Sequence, residues 1–203
     1  MRVVAGELRG RRIEAPPGLD TRPTTDIVRE SVFNALNSLD LIRDATVADL
    51  YAGSGSLGIE ALSRGAAHCT FIERDRTALR TMRGNIAELG LDDRSKVVPG
   101  DAFVLVTALD VDIVLADPPY DFDRWPDLLA ATTAAFVVAE SGRPLDRLDP
   151  ESIPGWAPTR TKRYGRTWVT FFQRSDETGI ITEREEQHYR GATHDQGVDP
   201  RQF

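Results

Sequence analysis

The stretch Asp49-Leu-Tyr-Ala-Gly-Ser-Gly-Ser-Leu-Gly58 overlaps a predicted strand at Thr46–Tyr51 and leads into a helical pattern that runs to about Arg64. A glycine-rich loop between a strand and a helix allows a tight turn and lets a ligand approach the backbone where the helix begins. Glu73 closes the next predicted strand, eighteen residues after Gly55, where a carboxylate can hold ribose hydroxyls. Strand, loop, helix and acid together predict a nucleoside-cofactor site, whereas the glycines alone would be equally consistent with plain helix–strand packing.

The same strand-then-helix order is repeated along the chain. Strands are predicted at Cys69–Glu73, Lys96–Val98, Asp112–Ala116 and Ala135–Ala139. Between them lie helical patterns that end at about Leu89, begin at about Ala102 and cover about Pro126–Thr133. Strands that alternate with helices are typical of an open, mainly parallel sheet with helices on both faces. We therefore predict an α/β, doubly wound, Rossmann-like fold.

Both ends of the chain depart from this order. Two segments around Gly165-Arg166 predict a C-terminal antiparallel hairpin, 159–164 and 167–173. The first fifteen residues predict a short N-terminal β-hairpin, and residues 26–39 predict a helix with an apolar face and with Thr24 or Thr25 as its N-cap. We divide the chain into an N-terminal extension (1–43), a ligand-binding domain (44–174) and an acidic tail (175–203). The tail lacks apolar periodicity, so we expect it to be disordered.

A second motif, Asp117-Pro-Pro-Tyr120, directly follows the predicted strand Asp112–Ala116. Proline fixes φ and has no backbone donor, so the motif forms a stiff loop that presents a carboxylate and an aromatic ring. This arrangement suits the task of holding a planar, amine-bearing group while its nitrogen is modified. A simple turn that ends the strand is the alternative interpretation.

Four acids follow or end four successive predicted strands: Asp49, Glu73, Asp101 and Asp117. The carboxyl ends of parallel strands form the ligand crevice of such a sheet. Asp49 would repel the pyrophosphate of a dinucleotide but suits the ammonium group of a methionine-like moiety. Asp101 can accept a hydrogen bond from an adenine amine while it also serves as a helix N-cap. The pattern therefore predicts S-adenosylmethionine as the cofactor.

Composition narrows the class of protein. The 203 residues predict one main domain, and no apolar run approaches the roughly 18–20 residues of a membrane span. The N-terminus lacks a signal-peptide pattern, so we expect a cytoplasmic protein. One cysteine and three histidines without ligand spacing predict no metal site. The formal net charge is −7, but arginines cluster in residues 1–12 and basic residues in 160–174, and such local patches predict contact with phosphates.

These features resemble those of class I S-adenosylmethionine-dependent methyltransferases. Within that class, residues 1–174 resemble the 16S ribosomal RNA guanine-N2 methyltransferase D family in five stretches: Arg2–Ile13, Arg22–Asp26, Val28–Leu36, Asp49–Gly65 and Asp117–Tyr120. The last stretch is shared with DNA adenine and other amino-methylating enzymes, whereas the N-terminal stretches are specific to this family. The resemblance implies transfer of one methyl group to N2 of a guanine of 16S rRNA (the 966-type site) in the small ribosomal subunit. We expect a monomer.

The resemblance also implies roles for individual residues. Cofactor-binding residues would be Asp49, Tyr51, Gly53, Gly55, Glu73, Asp101 and Ala102. Catalytic residues would be Asp117, Pro118, Pro119 and Tyr120, with the Asp117 carboxylate accepting a hydrogen bond from the guanine amine and the Tyr120 ring stacked on the base. RNA-facing residues would be Arg9, Arg11, Arg12, Arg22, Thr24 and Arg29.

Three alternatives stay open. The chain could methylate the amine of DNA adenine or of a protein glutamine, although no separate DNA-recognition domain fits into about 174 residues and glutamine methylators usually have Asn at position 117. It could be a non-catalytic RNA-binding or assembly factor that retains the fold, against which the intact Asp117 and Gly53-Ser-Gly55 speak. A dehydrogenase is disfavoured by Asp49.

Overall fold

The computed structural model describes residues 1–17 and 23–175, apart from the side chains of residues 23–25. Five α-helices alternate with the strands in this part of the chain: α1 Pro23–Ser38, α2 Ser56–Ser63, α3 Arg76–Leu89, α4 Ala102–Leu105 and α5 Trp125–Ala131. Seven strands form one sheet: β1 Thr46–Leu50, β2 His68–Glu73, β3 Ser95–Pro99, β4 Ile113–Ala116, β5 Phe136–Ser141, β6 Trp156–Tyr164 and β7 Thr167–Arg174. The predicted α/β sheet is confirmed.

The strand order in the sheet is β3-β2-β1-β4-β5-β7-β6. The pairs among β1 to β5 are parallel, so their carboxyl ends meet at one edge, which we call the carboxyl edge. Strand β7 runs antiparallel to both β5 and β6, which confirms the predicted C-terminal hairpin. Trp168 of β7 pairs with Ser141 at the end of β5 and with Arg163 of β6. The tip of the hairpin therefore lies at the carboxyl edge.

Alternation along the strands divides the core between the two faces of the sheet. Val47, Ile113 and Leu115 face α1, α2 and α3, whereas Ala48 and Val114 face α4 and α5. The residues buried from α1 are Val28, Val32, Phe33, Ala35 and Leu36, together with Arg29. Two apolar residues of the predicted helix 26–39 are exposed: Ile27, and Leu39, which lies just after the end of α1.

The ends of α3 show how local sequence sets the helix boundaries. The Asp75 carboxylate accepts hydrogen bonds from the amides of Thr77 (2.9 Å) and Ala78 (2.8 Å), which makes Asp75 the N-cap. Gly90 ends the helix with φ +68°, a conformation that glycine adopts without strain. The helix begins near the carboxyl edge and ends about 20 Å away, because 14 residues rise about 1.5 Å each.

Residues 1–17, which we call the N-terminal arm, contain the predicted β-hairpin in a short form. Backbone hydrogen bonds of 2.9 to 3.1 Å pair residues 1–3 with residues 10–13, around an antiparallel bridge between Arg2 and Arg12. Beyond the paired segment, the amides of Val4 and Ala5 donate to the buried carboxylate of Glu60, at 2.8 and 3.0 Å. The hairpin is thus fastened to α2 by a helix side chain.

Two further side chains fasten the arm. Ser63 Oγ accepts from the amide of Leu8 (3.0 Å) and donates to the carbonyl of Ala5 (2.6 Å). Asn85 of α3 bonds both backbone groups of Glu14 at 2.9 Å, and its side-chain amide also donates to the carbonyl of Ser54 in the glycine-rich loop, at 2.9 Å. The arm is therefore linked through α2 and α3 to the loop that begins at Asp49.

The arm and α1 share one core with the sheet, in which Val3, Ile13 and Phe33 are buried. A domain boundary at residue 43 remains a prediction. The predicted disorder of the tail concerns residues that, apart from Ser175, lie outside the described part of the chain. Among the described helices, none combines the length and the apolar character that crossing a membrane requires.

Candidate active site

Five acidic residues lie at the carboxyl edge, at or just beyond the ends of the five parallel strands: Asp49, Glu73, Asp101, Asp117 and Glu140. The register explains why they converge. Leu50 pairs with Ile72 and with Ala116, and Ala116 pairs with Ala139, so these strands end level with one another. The first four acids were predicted to meet here, and the fifth was not.

Asp49 is only 1 % exposed and fastens the glycine-rich loop. Its Oδ2 accepts a hydrogen bond from the amide of Gly58 at 2.8 Å, which ties the first turn of α2 to β1. Burial raises the pKa of Asp49 well above its ordinary value; the Gly58 amide acts in the opposite direction. The structure thus gives Asp49 a role in shaping the loop, and its contact with a cofactor ammonium remains a prediction.

Two glycines of the loop are required for different reasons. A Cβ at Gly58 would lie 2.3 Å from Cε1 of Phe71 and 2.5 Å from Sγ of Cys69, so α2 can approach β2 only with glycine at this position. Gly55 has φ +80°, and a Cβ there would lie 3.0 Å from Met82. These contacts hold the loop close to the sheet and keep its backbone at the carboxyl edge.

Glu73 is held by three backbone amides. Its Oε1 accepts from the amides of Arg74 (2.7 Å) and Asp75 (2.8 Å), and its Oε2 accepts from the amide of Gly53 (2.9 Å). A carboxylate has about four acceptor positions, so one position on Oε2 is left for a ligand hydroxyl. Glu73 therefore joins the end of β2 to the glycine-rich loop and can still accept a hydrogen bond.

Asp101 caps α4, as the sequence predicted. Its Oδ1 accepts from the amides of Phe103 (2.9 Å) and Val104 (3.3 Å), and its Oδ2 lies 3.7 Å from Nη1 of Arg74. The side chain is exposed at the edge, while Ala102 beside it is buried in the core. The N-cap role does not use Oδ2 and leaves it open to a ligand.

Tyr51 occupies an unusual backbone conformation between these acids. Its φ is +60°, which is uncommon for any residue other than glycine. Its ring packs edge-on against Phe122 at 5.9 Å, and Phe122 packs against Trp125 at 5.0 Å. Burial raises the pKa of the Tyr51 hydroxyl, with Asp101 acting in the same direction. The sequence analysis named Tyr51 but missed Phe122, which forms the apolar wall beside it.

Asp117 and Tyr120, the first and last residues of the Asp-Pro-Pro-Tyr motif, are exposed to solvent. The Asp117 side chain is exposed to solvent at the edge, yet the protein around it displaces bulk water, and this desolvation raises its pKa to about 6. Tyr120 is 59 % exposed, and its hydroxyl lies 3.1 Å from Oγ1 of Thr167 at the tip of the hairpin. Pro118 is buried and Pro119 is exposed. The motif thus presents a carboxylate and a ring side by side, as predicted.

Glu140 at the end of β5 was missed by the sequence analysis. Burial raises its pKa well above the ordinary value, the charges of Asp117 and Asp49 add to this, and Arg29 lowers it. The rule that located the other acids could have found it, because Glu140 directly follows the predicted strand Ala135–Ala139. The carboxyl edge thus has two carboxyl groups on the neighbouring strands β4 and β5.

The structure corrects the predicted RNA-facing role of Arg29. It describes only some of the other residues predicted to face RNA. Arg29 is 2 % exposed; its guanidinium donates to Asp26 (3.0 Å), and its Nε lies 3.6 Å from Glu60. It therefore stabilises the buried side of α1 and does not face solvent. Arg9, Arg11 and Arg12 are exposed, whereas Arg22 and the side chain of Thr24 lie outside the described residues.

The predicted cofactor can be tested against the chemistry of the edge. Three of its five acids, Asp49, Glu73 and Asp101, lie at the ends of the strands next to the glycine-rich loop. At Gly53 there is open space over the backbone, because a Cβ built there would meet only a carbonyl 3.9 Å away. Carboxylates are acceptors, which suits an ammonium group, ribose hydroxyls and an adenine amine but not a pyrophosphate. The residues present therefore fit S-adenosylmethionine. No group of His, Cys, Asp and Glu in residues 1–17 and 23–175 is arranged to hold a metal ion.

Comparisons with known proteins agree with this geometry. The sequence model of the family described as "Conserved hypothetical protein 95" matches residues 1–173. A Bacillus subtilis protein, "Putative rRNA methyltransferase YlbH", is 37% identical over 186 residues, which cover 86% of this chain and 99% of that protein. Ribosomal RNA small subunit methyltransferase D of Escherichia coli is 42% identical over 122 residues, which cover 59% of this chain and 60% of that protein.

Solved structures extend the likeness to the fold. The yhhF protein of Escherichia coli is 34% identical and superposes with a TM-score of 0.73, over 86% of this chain and 98% of that one. An RNA methyltransferase from Salinibacter ruber in complex with S-adenosyl-L-homocysteine is 23% identical, with a TM-score of 0.55 over 76% of this chain and 95% of that one. The sheet order and these likenesses establish the class I methyltransferase fold.

Proposed function

Because the chain belongs to the family described as "Conserved hypothetical protein 95", we propose that it transfers a methyl group from S-adenosylmethionine to N2 of one guanine of 16S rRNA. The observation that carries this proposal is the placement of Asp117 and Tyr120, an open carboxylate beside an open ring, next to the acid-lined loop. The names of the Bacillus subtilis and Escherichia coli relatives support an rRNA substrate. The choice of guanine N2 rests on the resemblance of the N-terminal stretches.

The cofactor would be held by the first three acids of the edge. The free acceptor position of Glu73 would take a ribose hydroxyl, Asp101 would accept from the adenine amine, and Asp49 would face the ammonium end. Tyr51, Gly53, Gly55 and Ala102 would line the same groove. When bound, S-adenosylmethionine supplies a methyl group that is activated by its positively charged sulfur.

The protein's own task is then to position the amine. The lone pair of the guanine N2 nitrogen is delocalised into the ring, which makes it a poor nucleophile, so alignment with the methyl carbon matters most. Orientation of this kind contributes about 7–11 kcal/mol to rate enhancement. The Asp117 carboxylate and the Pro118 carbonyl would accept the two amine hydrogens, while the Tyr120 ring would cover the face of an unpaired or flipped base.

Asp117 would also respond to the charge that develops during transfer. The nitrogen becomes positively charged as the methyl group arrives, and an ionised carboxylate beside it stabilises that charge. Since the pKa of Asp117 is about 6, the carboxylate is mostly ionised at neutral pH and can accept a hydrogen bond.

Two basic surfaces would contact the RNA at different distances from the reacting base. Arg163 and Arg166 are exposed at the tip of the β6–β7 hairpin, beside Tyr120. The guanidinium of Arg11 in the arm donates to the carbonyl of Glu88 (3.0 Å) at the far end of α3, about 20 Å from the edge. We expect the hairpin to contact phosphates near the target guanine and Arg9, Arg11 and Arg12 to contact more distant ones.

Methyl transfer from labelled S-adenosylmethionine tests the proposal directly. The substrates are small ribosomal subunits that lack the modification, naked 16S rRNA, and DNA, with nucleoside analysis of each product. We expect N2-methylguanosine on at least one ribosomal substrate. N6-methyladenine in DNA would support the DNA alternative, and cofactor binding without transfer to any substrate would support a non-catalytic RNA-binding or assembly factor.

A further inference from the structure

Glu140 and Asp117 are equivalent positions on neighbouring strands. Asp117 follows Ala116 of β4, Glu140 follows Ala139 of β5, and these two alanines are register partners. Neighbouring strands lie about 4.8 Å apart. Side chains alternate along a strand, and the residues two positions earlier, Leu115 and Val138, both pack on the α1–α3 side. The strand geometry therefore directs both carboxyl groups to the same side of the sheet.

The backbone of Glu140 is held by the neighbouring strand β7. Glu140 is the antiparallel partner of Val169, and it follows directly on Ala139, the last residue of β5 that pairs with β4. Its carboxyl is close enough to Asp117, Asp49 and Arg29 for their charges to act on its pKa. Glu140 thus belongs to a strand inside the sheet and is set beside Asp117, not on a loop.

The Tyr120 ring lies against the same segment of chain. A Cβ built at Gly142, two residues beyond Glu140, would be only 3.3 Å from Cδ1 of Tyr120. The hydroxyl of Tyr120 is held beside Thr167, and Trp168 next to it pairs with Ser141. A base stacked on this ring therefore lies over the end of β5, within reach of groups on both β4 and β5.

Guanine offers two adjacent donors on its Watson–Crick edge, the N1–H and the N2 amine. Adenine has an unprotonated N1, whose lone pair a carboxylate would repel. Hydrogen bonds to ionised acceptors are about twice as strong as neutral ones, and a site built to bond a polar group rejects an analogue that lacks it. Because the pKa of Glu140 is raised, its carboxyl has to release its proton for this contact; the two neighbouring carboxylates then match guanine and oppose adenine.

We propose that Glu140 is a specificity-determining residue, whose carboxylate accepts the N1–H of the target guanine while Asp117 holds the N2 amine beside it. This inference rests on the proposed function, since it assigns the part of the site that distinguishes guanine from other bases. It also gives the carboxyl at the end of the fifth strand a task that differs from that of Asp117: recognition of the base without contact to the reacting nitrogen.

The experiment uses a base that separates the two contacts. 2,6-Diaminopurine keeps an N2 amine that can be methylated but has an unprotonated N1. Small subunits are assembled from 16S rRNA that carries either guanine or 2,6-diaminopurine at the modified position, and kcat/KM is measured for each. We expect the wild-type protein to prefer guanine by about 10–100-fold. Glu140→Gln, whose amide can donate to N1, should narrow that preference by about tenfold or more.

Matched control variants distinguish a loss of base recognition from a loss of folding. Glu151→Gln makes the same chemical change at an exposed glutamate of the short 3-10 helix Pro150–Ser152 and should leave the preference unchanged. Glu140→Asp keeps a carboxylate and should retain a preference for guanine. Binding of S-adenosylhomocysteine and the melting temperature establish that each variant is folded.

The outcomes are distinct for the two proposals. Equal methylation of guanine and 2,6-diaminopurine by the wild-type protein would overturn the role of Glu140 without use of any variant. A folded Glu140→Gln protein with the wild-type preference would overturn it as well. Failure of the wild-type protein to methylate guanine in either assembled subunits or naked rRNA would instead overturn the proposed function.

Discussion

The carboxyl edge has two halves that treat their acids differently. In the cofactor half, at the ends of β1 to β3, each acid accepts backbone amides: Asp49 from Gly58, Glu73 from three residues, and Asp101 from the first turn of α4. In the base half, at the ends of β4 and β5, Asp117 and Tyr120 are open to solvent. The acids of the first half help to build the fold, whereas Asp117 and Tyr120 are placed to meet a substrate.

This difference has a physical reason. A small cofactor presents the same groups in every catalytic cycle. Its site can therefore be held rigid by hydrogen bonds to the main chain. Under the proposed function, a base that must leave its stack arrives with a large RNA attached, and its site must be accessible. The comparison predicts that substitutions in the base half change chemistry with little effect on cofactor binding, and that substitutions in the cofactor half do the opposite.

The largest expected effect is that of Asp117→Ala. Loss of the carboxylate that stabilises the developing charge should lower kcat by about 10²–10³-fold or more. The affinity for S-adenosylhomocysteine, measured by calorimetry, should change by less than about threefold, because Asp117 is not among the acids that would hold the cofactor. A threefold change is smaller than the roughly 1.4 kcal/mol that a factor of ten represents. Asp123→Ala, at an exposed position of the same loop, is the control. A parallel loss of cofactor affinity would show that the two halves are not separable.

Tyr120 provides a graded test of the base half. Stacking of a base on an aromatic ring contributes about 1–3 kcal/mol, so Tyr120→Ala should lower kcat/KM by about 5–150-fold. Tyr120→Phe keeps the ring and loses only the bond to Thr167, worth about 0.5–1.5 kcal/mol, and should cost about 2–10-fold. Single-turnover methyl transfer measures both, and equal losses would argue against stacking.

Glu73→Gln addresses the cofactor half. The amide nitrogen of Gln cannot accept the backbone hydrogen bonds that the carboxylate now takes, and bonds to charged groups are worth about 1.5–3 kcal/mol. The Kd for S-adenosylhomocysteine should therefore rise by about 10–100-fold, while kcat at saturating cofactor stays within about threefold of the wild-type value. Glu88→Gln, at an exposed site in the last turn of α3, is the matched control. A fall in kcat without a change in Kd would contradict this assignment.

The smallest effect near neutral pH is a dependence on pH. Desolvation raises the pKa of Asp117 to about 6, so below that pH the carboxyl is protonated and the protonated oxygen no longer accepts from the amine. With saturating cofactor, kcat/KM should rise about tenfold per pH unit below 6 and level off above it. The residual activity of Asp117→Asn should lack this midpoint; the same profile in that variant would assign the titration to another group.

Much of the edge was predictable because parallel strands end together. Once the strands were placed, Asp49, Glu73, Asp101 and Asp117 had to meet, and the structure brings them together. Glu140 was missed although it directly follows the predicted strand Ala135–Ala139, because no glycine-rich loop, proline motif or helix cap marks its position. The observed strand β5 extends two residues further than predicted, to Ser141.

Other features depend on residues far apart in the sequence. The alternation in the first fifteen residues predicted the hairpin but not its attachment: the amides of Val4, Ala5 and Leu8 are bonded to Glu60 and Ser63, more than fifty residues away. Arg29 was expected to face RNA because of the family resemblance, yet its partner Glu60 makes a buried position possible. These partners cannot be inferred from local patterns, because they meet only when the arm and α1 pack against α2.

The Glu60 carboxylate has a consequence for how the whole molecule unfolds. It accepts two amides of the arm and the guanidinium of Arg64 at 2.7 Å, with Arg29 at 3.6 Å. Detaching the arm would leave a buried carboxylate short of two hydrogen bonds, at a cost of about 1–3 kcal/mol for each unsatisfied group. Loss of residues 1–17 should thus lower the cooperativity and the midpoint of thermal melting, not yield a smaller independent enzyme. The arm therefore contributes to the stability of the whole domain, and Asn85, which bonds both Glu14 of the arm and Ser54 of the glycine-rich loop, joins the two segments.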